Sequence, residues 1–251
     1  TQYGVGEEKA IIEAIRYAEA NGASICNLSF GTTEYYPELE KVMRDSKMLF
    51  VVSAGNGNAK GIGEDTDQKP DYPSSFDLDN VISAANLMFD GNLAESSNYG
   101  AKSVDIAAPG TYIVSTIADS GYGFMTGTSM SAPMVTGAAA MLYSYRTDLQ
   151  LSDIRKVLLE TARKLPTLNG KLSSNGMLDL YAALNYGRTT ETADSERTAA
   201  DGQNAQDRQD TEQTAAGDQD AEQDPATGQG TASAASKTIT AGGGEPVSLG
   251  W

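Results

Sequence analysis

Residues 127–133 have the sequence GTSMSAP, and residues 134–145 continue it as MVTGAAAMLYSY. This stretch is rich in alanine and methionine, with small residues throughout and no charged residue, so it predicts a helix over 128–145 that is buried on nearly all sides. Pro133 fits the first turn of such a helix, because the N–H group that proline lacks has no helical partner there. The stretch therefore predicts a core helix that carries Ser129 at its beginning.

Working outward from this helix, apolar strands alternate with amphipathic helices. Further helices are predicted at 7–20, 37–46, 152–163 and 176–184, and Ser152 is expected to cap the third of these. Buried strands are predicted at 23–29, 48–53, 81–85 and 104–107. An antiparallel pair of strands is predicted at 112–117 and 122–125. Such alternation predicts an α/β fold in three layers, a mostly parallel sheet with helices on both faces.

Three polar segments are expected at one edge of this sheet. Two of them follow strands, NLSFG at 27–31 and SAGNG at 53–57, and the third is the turn before Ser129. Ligands bind at the carboxyl ends of parallel strands, so these segments are candidates for a site. A serine at a helix N-terminus has free N–H groups beside it that stabilise negative charge, as a nucleophilic serine requires. An isolated Thr-Ser pair would only indicate a helix cap.

Residues 127–133 resemble the active-site serine motif of the subtilisin-like serine peptidases. Three more segments match that family in order: NLSFG at 27–31, VVSAGNG at 51–57 and VDIAAPG at 104–110. The resemblance runs from about residue 7 to 187. It implies a serine endopeptidase that acts on protein or peptide substrates, as a monomer, in an extracellular or cell-surface compartment.

The resemblance also implies roles for individual residues. Ser129 would be the nucleophile, and Asn56 would donate its side-chain amide to the oxyanion. The walls of the primary specificity pocket would be formed by Ser29, Phe30 and Gly31 on one side and by Ser53, Ala54 and Gly55 on the other.

Asp71 is a further substrate-binding candidate. It precedes Tyr72-Pro73, which resembles a pair near the base of the specificity pocket in the family. A carboxylate there would favour Lys or Arg before the scissile bond. The alternative is a solvated carboxylate that points away from the cleft.

The chain of 251 residues contains no histidine. A serine nucleophile of this kind needs a base, and in the family the order is Asp, His, Ser. We therefore expect the catalytic Asp and His upstream of residue 1, an incomplete catalytic domain in this chain, and no activity of the chain alone. The alternative is a catalytically dead domain that binds peptides. No glycine-rich phosphate loop follows a strand, which argues against a nucleotide-binding module.

Composition limits the kinds of partner, membrane segment and cofactor that the chain is expected to have. The net charge of −16 argues against nucleic acid as a partner, because phosphates would be repelled. No apolar run reaches 18 residues, so no membrane span is expected.

Cys26 is expected to be a core residue. No cofactor is expected for catalysis. The resemblance allows structural calcium with unknown ligands, although a solvated acidic surface is favoured for Glu64, Asp65, Asp67, Asp71, Asp77 and Asp79.

Three regions are predicted along the chain. Residues 1–187 are expected to be the C-terminal part of the catalytic domain. Residues 188–237 read as a disordered acidic linker, because 189–236 contain no aromatic residue and no Val, Ile, Leu or Met to bury. Residues 238–251 regain apolar residues and would begin another module.

Overall fold

The computed structural model describes residues 6–118 and 120–188, so the predicted linker and module over 189–251 lie outside the described residues. The helices are α1 (Glu8–Ala20), α2 (Pro37–Asp45), α3 (Thr128–Tyr145), α4 (Leu151–Thr161) and α5 (Leu180–Leu184), with a 3₁₀ turn at Pro166–Leu168. Within the part of the chain that the structure describes, no helix is long and apolar enough to cross a membrane.

The strands form one sheet and one separate hairpin. They are β1 (Ile25–Leu28), β2 (Leu49–Ser53), β3 (Val81–Leu87), β4 (Ile106–Pro109), β5 (Ile113–Ile117), β6 (Gly121–Met125), β7 (Arg163–Lys164) and β8 (Gly176–Met177). The sheet has the order β1-β2-β3-β4-β8-β7, and every pair is parallel except β7 with β8. The predicted antiparallel pair is the hairpin β5–β6.

Both faces of the sheet are covered, as predicted. All five residues of β2 are buried. Leu49 and Val51 belong to an apolar cluster that includes α3 and α4, whereas Phe50 and Val52 belong to one that includes α1 and α2. Successive side chains of a strand point to opposite faces, so a continuous apolar run is what a doubly covered strand requires. The predicted α/β class is therefore confirmed.

Helix α3 has the predicted bounds, but the expectation of burial on nearly all sides is wrong. Ala132, Val135, Ala139 and Leu142 are buried against the sheet. The opposite side is exposed along its length at Pro133, Met134, Gly137, Ala140, Met141 and Ser144. The helix is apolar around its whole circumference, and the described residues cover only one side of it.

Two helix predictions near the C-terminal end need correction. Helix α4 is capped by Gln150 and Asp153, whose side chains and backbone form a capping box, and not by Ser152. The predicted helix over 176–184 is a two-residue strand followed by the short α5, whose cap is Asp179. Asp179 accepts a hydrogen bond from the N–H of Ala182 at 3.0 Å, and this bond sets where the helix begins.

Candidate active site

The carboxyl ends of β1 and β2 bring the first two polar segments together. The strands are parallel with Leu28 opposite Val52, so both continue into their loops at the same edge. Ser53 lies at this edge, is buried, and donates its hydroxyl to the carbonyl oxygen of Phe30 at 3.4 Å. The Phe30 side chain itself packs against the cluster of α1 and α2. The two predicted pocket segments are thus neighbours.

Ser129 lies in the first turn of α3 and contacts the loop after β1. The Ser29 hydroxyl donates to the carbonyl oxygen of Ser129 at 3.0 Å, and the Ser129 hydroxyl lies 3.4 Å from the carbonyl oxygen of Ser29. Ser29 in turn accepts a hydrogen bond from the side chain of Asn27, which accepts one from Thr136 of α3. Ser129 is 7% exposed, at the helix end where N–H groups face outward.

Asn56 lies beside the same helix turn. Its side-chain oxygen accepts hydrogen bonds from the backbone N–H of Thr128 at 2.9 Å and from the Thr128 hydroxyl at 3.1 Å. The hydroxyl also accepts the backbone N–H of Gly55 at 3.2 Å. A Cβ atom at Gly127 would lie only 3.2 Å from this oxygen, so the glycine permits the close approach. These contacts fix the amide of Asn56 one residue from Ser129.

Asn98, which no motif in the sequence singles out, holds the loop that carries Asn56. It is buried and makes four hydrogen bonds to main-chain groups of residues 54–64. Its side chain donates to Ala54 at 3.0 Å and accepts from Gly57 at 3.0 Å and Glu64 at 2.9 Å, and its backbone N–H donates to Gly55 at 3.0 Å. No spacing or periodicity marks this asparagine, because its partners lie more than 30 residues away along the chain.

Asp71 lies between the two loops. An ideal Cβ atom at Gly31 would lie 2.2 Å from its Oδ1 atom, and one at Gly55 would lie 3.2 Å from its Cγ atom. Gly55 also has φ +99°, a conformation that favours glycine. Burial raises the pKa of Asp71 to about 7. The alternative expectation of a solvated carboxylate does not hold for this residue, which is half-buried and whose Oδ1 atom is buried.

The other acidic residues near Asp71 have separate partners. Asp67 accepts hydrogen bonds from the backbone and hydroxyl of Ser103, and Glu64 forms an ion pair with Lys69 at 2.6 Å. Across 6–118 and 120–188, no group of three or more His, Cys, Asp or Glu side chains is placed to hold a metal ion. Cys26 is only partly buried, and burial raises its pKa.

Comparison with known proteins gives the same assignment over most of the chain. Residues 3–183 match the subtilase family, peptidase S8. The major intracellular serine protease of Bacillus subtilis is 34% identical over 186 residues, which cover 71% of this chain and 56% of the relative. Thermitase of Thermoactinomyces vulgaris is 33% identical over 187 residues, which cover 73% of this chain and 62% of thermitase. The chain thus spans less than two thirds of either relative.

The fold has solved counterparts as well. The prenylagaramide maturation protease aligns with a TM-score of 0.62 and 24% identity, over 73% of this chain and 69% of that one. At this identity the likeness concerns the fold alone. The match over residues 3–183 shows that the chain belongs to the subtilase family of serine proteases.

Proposed function

We propose that this chain belongs to a serine endopeptidase that cleaves peptide bonds through an acyl-enzyme on Ser129. The observation that carries the proposal is the position of Ser129 in the first turn of α3, next to Asn56 across Thr128. A helix N-terminus and a side-chain amide stabilise negative charge on a nearby oxygen. Membership of the subtilase family supports the same chemistry.

The reaction follows from these groups. The Ser129 Oγ atom attacks the carbonyl carbon of the scissile bond while a base takes the hydroxyl proton. The carbonyl oxygen becomes an oxyanion, which accepts hydrogen bonds from the Asn56 side-chain amide and the Ser129 N–H. The C–N bond then breaks, and the amine leaves with the proton from the base. Water releases the acyl group in the reverse sequence and restores the serine.

The chain contains no histidine, so it does not itself supply the histidine base that the family's order of Asp, His, Ser requires. We propose that the base is a histidine oriented by an aspartate, both carried by polypeptide that is not part of this sequence. Two surfaces near Ser129 offer room for that polypeptide. β1 is the last strand on its side of the sheet among the described residues, and one side of α3 is exposed.

A second candidate function is a catalytically dead domain that binds peptides. The missing histidine favours it. Both candidates have the same loops around Ser129, so only chemistry separates them. A peptide-binding domain would bind peptides with Ser129 unreactive, whereas a peptidase would acylate this residue.

The experiment uses the protein encoded by the complete open reading frame. We expect it to cleave casein and to be labelled by a fluorophosphonate, and both activities to be lost in Ser129→Ala. Ser144→Ala, at an exposed position of the same helix, is the matched control and should keep both. The 251-residue chain by itself should show no turnover. Peptide binding without labelling of Ser129 would favour the second candidate.

The compartment and the oligomeric state stay predictions. Secretion and a monomeric state rest on family resemblance alone, and the Bacillus subtilis relative is an intracellular protease by name. Structural calcium stays a prediction too, because nothing in the acidic loop assigns its ligands.

A further inference from the structure

Asp71 is held firmly by its main chain. The next residue, Tyr72, exchanges two backbone hydrogen bonds of 2.9 Å and 2.7 Å with Thr32, and these bonds tie the segment to the loop after β1. The N–H group of Asp71 donates to the Ser75 hydroxyl at 3.1 Å, and its carbonyl oxygen accepts from the Ser75 N–H at 2.8 Å. The position of the side chain is therefore built into the fold.

The carboxylate of Asp71 has no such support. Within the described part of the chain, its buried Oδ1 atom has no hydrogen-bond partner. A buried carboxylate oxygen in this state costs free energy when it is charged, and the cost falls when a donor or cation reaches it. Burial accordingly raises its pKa to about 7.

Asp105 is a buried carboxylate of the same molecule that does have hydrogen-bond partners. It accepts hydrogen bonds from the backbone N–H of Ser83 at 2.9 Å, from Arg155 at 2.8 Å and from Ser173 at 3.0 Å. The contrast with Asp71 indicates that the partner of Asp71 is not supplied by the described residues.

The surroundings of Asp71 indicate where that partner enters. Gly31 and Gly55 flank the carboxylate, and neither contributes a side chain. Both glycines belong to loops that contact the beginning of α3: Ser29 bonds to Ser129, and Gly55 bonds to Thr128. A side chain that enters between the two loops from a peptide at Ser129 would meet the Asp71 carboxylate.

We propose that Asp71 selects a cationic side chain, Lys or Arg, on the substrate residue before the scissile bond. The proposal rests on the proposed peptidase function and names its substrate class. An ammonium or guanidinium group donates to the buried carboxylate and neutralises its charge, whereas an apolar side chain leaves that charge without a partner.

The kinetic test uses the protein from the complete open reading frame and two peptides that differ only in having Lys or norleucine before the scissile bond. We expect kcat/KM to favour Lys by about 10- to 100-fold. Asp71→Asn, which keeps the shape and removes the charge, should abolish this preference. Asp79→Asn, an exposed carboxylate of the same loop, should keep it. A preference for norleucine in the unmodified protein, or an equal preference in Asp71→Asn, would overturn the proposal.

A binding test separates this proposal from the proposed function. Benzamidine, a cation, and benzamide, its neutral counterpart, are titrated into the Ser129→Ala protein by calorimetry. Benzamidine should bind more tightly, by about 10-fold or more, and Asp71→Asn should remove the difference. Selective binding of benzamidine, together with no peptidase activity in the unmodified complete protein, would leave the charge-selecting site standing and reject the peptidase. Cleavage without a charge preference, with equal binding of the two compounds, would reject the charge-selecting site and leave the peptidase proposal standing.

Discussion

The side-chain amide of Asn56 has an oxygen that accepts hydrogen bonds and an N–H group that can donate them. Its oxygen is held by Thr128 at 2.9 Å and 3.1 Å, which orients the amide beside Ser129. If the amide N–H groups serve the oxyanion, Asn56→Ala should lower kcat by ~10²–10³-fold and change KM little, because the donor acts only when charge develops. Steady-state kinetics on the complete protein measure both constants. Asn58→Ala, at an exposed position two residues on, is the control, and unchanged kcat in Asn56→Ala would reject the assignment.

Asp71 also makes folding stability depend on pH. The carboxyl group ionises near 3.8 in the unfolded chain and at about 7 in the fold, because burial disfavours its charge. Between these values the unfolded state binds fewer protons, so stability falls as pH rises, and the loss is complete above about 7. The difference between the two pKa values corresponds to at most roughly 4 kcal/mol of unfolding free energy.

Asp71→Asn should therefore raise the free energy of unfolding at pH 8 by about 2–4 kcal/mol and change it little at pH 4. Urea denaturation at the two pH values measures this difference. Asp79→Asn should show no comparable gain, since that side chain is exposed. An equal effect of Asp71→Asn at both pH values would contradict burial as the cause.

Helix α3 has a buried and an exposed side, so the cost of truncating a side chain can be compared at two adjacent residues. Leu142 is 0% exposed and packs against the sheet, whereas Met141 is 52% exposed. In the 251-residue chain, Leu142→Ala should cost about 2–5 kcal/mol of unfolding free energy, the usual cost of a core truncation. Met141→Ala should stay within about 0.5 kcal/mol. Chemical denaturation measures both, and similar losses at the two positions would contradict the one-sided burial of the helix.

For the whole molecule, the acidic C-terminal region should be dispensable for catalysis. Residues 189–236 contain no large apolar side chain, so they have little to bury against a folded domain. The complete protein truncated after Gly187 should keep its kcat, KM and denaturation midpoint. Truncation after Met177 is the control that should fail, because it removes α5 and Ala183 from the core. A large rise in KM on the first truncation would show that the acidic region contacts substrate.

The elements that could be predicted from the sequence are those whose signal is local. β2 is a continuous apolar run because it is covered on both faces, and α3 begins with a motif whose seven residues are adjacent. Ser129 and Asn56 are both predicted as site residues in this way, since each lies in a short run with a recognisable order of residues. The three-layer fold followed from the alternation of such runs.

What the sequence by itself determined was therefore the order of elements as far as α4, the α/β class and the family. Only the tertiary structure decided which side of α3 is covered, that Asn98 holds the Asn56 loop, and that Asp71 lies half-buried between Gly31 and Gly55. The physical reason is that a strand or a turn depends on neighbours along the chain, whereas burial and hydrogen-bond pairing depend on residues from distant segments. Asp71 and Asp79 are carboxylates of the same acidic loop, and only their surroundings make the first half-buried and the second exposed.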